Sequence, residues 1–85
     1  MDTTRESKAF GLEMRELRTQ QGLSQMELAA RAGCSQRFIS ELERGKSTAE
    51  IGKALAVATA LGYRVSFVRA SSSHSGLVRN LADYL

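Results

Sequence analysis

Eighty-five residues, 42% hydrophobic and 25% charged, provide for one small domain with a short appendage and exclude most enzymes. A chain this short leans on a disulfide, a metal or a partner copy, yet Cys34 is the single cysteine and His74 the single histidine, so neither an internal disulfide nor a closed zinc site can be built. The net charge of +3 suits nucleic acid but is spread without any charge run, so affinity for a polyanion would depend on where individual Arg and Lys side chains sit on a folded surface.

From Thr4 to Gln21, Phe10, Met14 and Leu17 fall on one helical stripe, with Thr3 or Thr4 as N-cap and Gly22 as the closing left-handed residue. Ser24 and Glu27 then form an S-x-x-E capping box ahead of Leu28, Ala29 and Ala32, which predicts a second helix ending at Gly33. Ser35 caps a third, carrying Phe38, Ile39 and Leu42 at helical spacing. Gly45 and Lys46 break it, and Thr48 caps a fourth whose buried side is read as Ile51, Leu55, Ala58 and Leu61, closed by Gly62.

The period then changes. Tyr63, Val65 and Phe67 alternate with polar neighbours, and residues 63–69 are read as a single strand. Ser71–Gly76 has linker composition, and Leu77, Val78, Leu81 and Leu85 lie on a helix-like stripe too short to stand alone in water. A lone strand finds no partner in such a chain, so pairing across a two-fold axis with a second copy is expected, placing Val65 and Phe67 of each chain against the fourth helices. The first six residues lack the apolar stretch of a signal peptide and no apolar run reaches membrane-spanning length, so a cytoplasmic chain with no membrane partner is expected.

Gln25 to Arg44 carries the functional signal: two capped helices joined through Gly33, with Ala29 small enough to let the helices approach. Leu23-Ser24-Gln25, Ala29, Gly33, Ile39 and Leu42-Glu43-Arg44-Gly45 resemble the helix-turn-helix of the phage-repressor (Cro/CI, XRE) family over residues 7–62. The resemblance implies a third helix lying in the major groove of a palindromic double-stranded DNA operator, and a nucleoid-associated location. By position it makes Gln36 and Arg37 the leading base readers, with Ser40 and Glu41 one turn along. Glutamine suits adenine and arginine suits guanine, while Glu41 either accepts from cytosine or excludes wrong sequences. Gln25, Arg44 and Lys46 take the places of phosphate contacts, with Gln25 also able to buttress Gln36. Arg18 and Glu43 resemble the family's internal ion pair, against the alternative of an exposed pair of little worth. Phe38 is read as packing in preference to touching a thymine methyl, and Cys34 as an inert thiol. No catalytic set, metal site or cofactor is expected.

Leu61-Gly62-Tyr63-Arg64-Val65-Ser66-Phe67-Val68 is similar to the tail of HipB-type antitoxins. That resemblance implies a homodimer that represses its own operon and neutralises a HipA-type serine/threonine kinase toxin; a stand-alone repressor without a toxin is the alternative. The expected architecture is therefore all-α: a bundle of four to five helices with one C-terminal strand paired across a dimer. Residues 1–69 form the DNA-binding domain, with Tyr63, Val65 and Phe67 in its dimerising strand, and residues 70–85 form a flexible tail. In that tail the HipB resemblance makes a short helix at Leu77 to Leu85 a candidate kinase contact, against the alternative of a disordered or self-packed end.

Overall fold

Side-chain caps and glycines set most of the helix boundaries. A computed structural model describes residues 3–70 and the backbone of 78–80. It contains α1 (Thr4–Gln20), α2 (Gln25–Ala32), α3 (Gln36–Glu43), α4 (Ile51–Ala60), β1 (Ser66–Val68) and β2 (Val78–Asn80). At the start of α2 the capping box is complete: the Glu27 N–H donates to Ser24 Oγ at 3.0 Å, and the Ser24 N–H donates to Glu27 Oε1 at 2.8 Å. The Ser35 hydroxyl accepts from the Phe38 N–H at 3.0 Å and opens α3. Between them Gly33 takes φ +75°, a left-handed conformation that a side chain would strain.

These boundaries aim the apolar stripes at one another. α3 packs against α1 and α2, and α2 also packs on α4. Leu28, Ile39 and Val57 are fully buried, and Met14, Leu17, Leu42, Ala58 and Leu61 close the core around them. Gly11 is where α1 meets the end of α3: a Cβ there would collide with the Leu42 carbonyl oxygen and come within 3.0 Å of that of Glu43. Gly45, just past α3, is pressed on the same helix, where a Cβ would lie 2.7 Å from Lys8 Cγ. Gln21 ties the α1–α2 turn to the end of α4, donating from Nε2 to the Leu61 carbonyl at 2.8 Å.

Several expectations are corrected. Thr3 stands at the N-cap of α1 without a side-chain cap bond. Thr48 does not cap α4, which starts at Ile51 behind Glu50, a residue that makes no side-chain cap bond either. With the helix starting there, its core face runs through Ala54, Val57, Ala58 and Leu61, and Ile51 is left 74% exposed in the first turn. The strand is also shorter than residues 63–69, and it has a partner in its own chain. β1 pairs antiparallel with β2, Phe67 opposite Arg79, flanked by Ser66–Asn80 and Val68–Val78. The serine-rich connection allows this closure at modest entropic cost, and three or four apolar residues at mixed spacing do not distinguish helix from strand. Val78–Asn80 is thus extended where a helix was expected; the rest of that expected helix lies outside the described residues. A second copy is not needed to satisfy β1. No helix among the described residues is long and apolar enough to cross a membrane.

Candidate nucleic-acid interface

A buried ion pair holds the end of α3. Arg18 on α1 reaches Glu43 through two bonds, Nε to Oε2 at 2.6 Å and Nη2 to Oε1 at 3.0 Å, and its Nη1 donates to the Leu23 carbonyl at 2.8 Å. The two side chains are only 12% and 4% exposed, so this is the interior pair and not the surface one. The hydrogen bond to Glu43 raises the guanidinium pKa, with desolvation opposing it. Gln25 joins from the first position of α2, its Nε2 donating to Glu43 Oε1 at 3.1 Å. That bond places its amide on Glu43, in place of the anticipated contact with Gln36. Every buried side-chain nitrogen and oxygen among the described residues has a partner.

With α3 fixed in this way, its other end is presented to solvent. Gln36 and Arg37 are its first two residues and both are exposed. Because Ser35 serves the N–H of Phe38, those of Gln36 and Arg37 stand without an acceptor among the described residues, at the positive end of the helix. Ser40 and Glu41 follow one turn later, both half-buried. Glu41 is held from two sides, by Lys46 Nζ at 3.1 Å and by Arg37 Nε at 3.3 Å. The Lys46 bond, then the Arg37 bond, lowers its carboxyl pKa. Three of the expected DNA-contacting side chains therefore pair with one another in the unbound protein.

The other expected contacts are distributed around this head. Arg44 is exposed at the C-cap of α3, and Lys46 lies two residues beyond. Phe38 is half-buried against the core with Lys53 Nζ 5.9 Å from its ring centroid, so its face is already taken. Cys34 is half-buried, and desolvation raises its thiol pKa, with Lys53 opposing. Of the strand residues, Val65 packs on the core, whereas Tyr63 and Phe67 are about half exposed. Among the described residues no cluster of His, Cys, Asp or Glu is arranged for a metal ion.

Three residues that shape this surface are absent from the sequence reading. Gly11 had a signal, a glycine inside an apolar helical stripe, which marks a close backbone approach. Gln21 had none. Arg15 sits one turn before Arg18 on α1 and so shares its face. It lines a cleft of about 280 Å³ together with Arg18, Gln25, Ser40, Glu43 and Arg44.

Known proteins share this fold. The helix-turn-helix family HTH_3 matches residues 14–68. The uncharacterized HTH-type transcriptional regulator y4mF of Sinorhizobium fredii (strain NBRC 101917 / NGR234) is 47% identical over 59 residues, 69% of this chain and 78% of that protein. A second regulator of the same strain, y4dJ, is 40% identical over 55 residues, 65% and 71% of the two lengths. Among solved structures, the restriction-modification controller protein C.AhdI from Aeromonas hydrophila superposes with a TM-score of 0.67 at 36% identity, covering 74% of this chain and 91% of its own. The clp gene regulator ClgR from Corynebacterium glutamicum gives 0.61 at 33% identity, covering 67% and 61%.

Proposed function

Because this chain belongs to the helix-turn-helix family of transcriptional regulators, we propose that it is a sequence-specific repressor that binds a palindromic operator as a homodimer. The observation carrying this reading is the exposed start of α3, where Gln36 and Arg37 project from a helix locked at its far end by Arg18 and Glu43. A reading helix needs both properties, free side chains at the tip and a rigid seat. Gln36 and Arg37 read base edges, and Ser40 and Glu41 tune the choice. Gln25, Arg44 and Lys46 hold the flanking phosphates.

One such head covers only a few base pairs, and a two-fold pair reads half-sites about 34–36 Å apart. Exposed Tyr63, Phe67 and Val68, in and just before β1, supply an apolar surface for that pairing. Footprinting on the region upstream of its own gene is the direct test. Protection of two symmetric half-sites is expected, and uniform protection of any duplex would remove the sequence-specific reading.

The narrower reading, a HipB-type antitoxin that also binds a HipA-type serine/threonine kinase toxin, rests on the Leu61–Val68 pattern alone. The structural relatives are regulators of other kinds, a restriction-modification controller and a clp gene regulator. Repeating the footprint with the neighbouring gene's product separates the two: a kinase-like product that co-purifies and extends protection supports the antitoxin, and an inert neighbour leaves the stand-alone repressor.

A further inference from the structure

We propose that the cleft between α1, α2 and α3 seats one phosphate of the DNA backbone, with Arg15, which the family resemblance did not assign, and Arg44 as its charged walls. This rests on the DNA-binding reading above. The cleft has a volume of about 280 Å³ and is lined by three guanidiniums and a single carboxylate. That carboxylate, Glu43, is already neutralised by Arg18 through two bonds and takes a third from Gln25. Arg15 and Arg44 have no ion-pair partner among the described residues, so the cleft keeps an excess of positive charge with hydrogen-bond donors to spare.

Its position selects the anion. Gln36, Ser40 and Arg44 are spaced four residues apart along α3 and share one face of that helix. At 1.5 Å per residue, Arg44 lies about 12 Å along the axis from Gln36, a distance close to the roughly 12 Å width of the major groove. A helix with Gln36 on the bases therefore carries the cleft to the groove's edge, where the phosphates run. Arg15 approaches the same point from α1, so a phosphate there would be gripped from two helices that Gly11 and the Arg18–Glu43 pair hold together.

The test measures binding to the protein's upstream region and to a random duplex of equal length over a range of salt, for wild type, Arg15→Gln and Arg15→Lys. Loss of one phosphate contact should flatten the slope of log affinity against log salt by about 0.9 on both duplexes in Arg15→Gln. Between 50 and 200 mM salt the wild type would then lose about three- to four-fold more affinity than the variant. Arg15→Lys should keep most of the slope, which a purely structural role for Arg15 would not predict. An unchanged slope in Arg15→Gln, with wild type still bound, overturns the phosphate seat and leaves the reading helix intact. A wild type that binds neither duplex overturns both. A free anion as the true occupant would show as thermal stabilisation by inorganic phosphate over chloride at matched ionic strength, lost in Arg15→Gln with the DNA slope unmoved; that result also overturns the proposal. Circular dichroism of both variants checks that the exposed substitution leaves the fold unchanged.

Discussion

Glu43, on the last turn of α3, accepts from Arg18 on α1 at 2.6 and 3.0 Å, and the same carboxylate accepts from Gln25 on α2 at 3.1 Å. One nearly inaccessible carboxylate thus joins α1, α2 and α3. The joint is polar where the rest of the interface is apolar, so it fixes the register of α3 as well as its contact.

Removing one partner leaves the other charge buried. Glu43→Ala is expected to cost about 3–5 kcal/mol, read as a lower urea midpoint at unchanged slope. The double variant Arg18→Met with Glu43→Leu should recover much of that loss, because neither charge is then stranded. A single variant as stable as wild type would place the pair outside the fold's energetics.

Gly11 supports the same joint by steric means. Gly11→Ala drives a methyl group into the Leu42 carbonyl oxygen, which is backbone and cannot rotate away. The expected loss is about 3 kcal/mol, the upper end for overpacking, and α3 must tilt to relieve it. Thermal melting gives the loss, and weaker DNA binding at a temperature where the variant is folded reports the tilt.

Where the sequence could be read and where it could not follow from the range of each interaction. Ser24, Glu27 and Ser35 act on N–H groups three residues away, so the caps of α2 and α3 are local and were legible. Arg18 and Glu43 are 25 residues apart and were paired through family resemblance alone. Gln25 was placed on a phosphate or on Gln36 because nothing in its neighbours reveals that Glu43 has a lone pair to spare. Ile51 was misplaced because no side-chain cap marks the start of α4, whereas Ala58 and Leu61 of the same expected stripe are buried. β2 was missed because three residues beyond a serine-rich connection carry too little pattern to oppose a helix-like spacing.

The capping box of α2 predicts an acid-sensitive contribution. The Ser24 backbone N–H, then its hydroxyl, pulls the Glu27 carboxyl below its ordinary value of 4.5. A carboxylate lowered in the folded state stabilises above the unfolded value, and that stabilisation is lost as pH falls through the folded one. Glu27→Gln keeps a side-chain oxygen for the box but does not titrate. The melting-temperature difference between wild type and Glu27→Gln should be constant near neutrality and shrink below about pH 4.5. A difference independent of pH down to full protonation would show that the charge contributes nothing.

Gln36 and Arg37 should differ from Lys46 in what they discriminate. Gln36→Ala or Arg37→Ala is expected to relax selectivity at one operator position by about 1–3 kcal/mol. Lys46→Ala should weaken every duplex alike and flatten the salt slope by about one counterion. Competition binding against operators altered at single positions distinguishes them. Equal losses on operator and random DNA would move Gln36 and Arg37 from base edges to the backbone.

Glu41 is expected to act as a brake on indiscriminate binding. In the unbound protein it occupies both Arg37 and Lys46, at 3.3 and 3.1 Å, so each cation must leave a carboxylate before it can meet DNA. Once they leave, the negative charge stands among phosphates that repel it, unless a cytosine amino group is in reach to donate to it. A random duplex therefore pays both costs, and the operator recovers one of them. Glu41→Gln removes the repulsion and frees the two cations, so affinity for random DNA should rise several-fold and affinity for the operator less, with the ratio between them falling. The lowered carboxyl pKa keeps Glu41 charged throughout the neutral range, so the gain should be the same across it and vanish only in acid. Fluorescence anisotropy on both duplexes at matched salt measures the ratio. Parallel changes on the two duplexes would make Glu41 a general electrostatic burden without any part in choosing sequence.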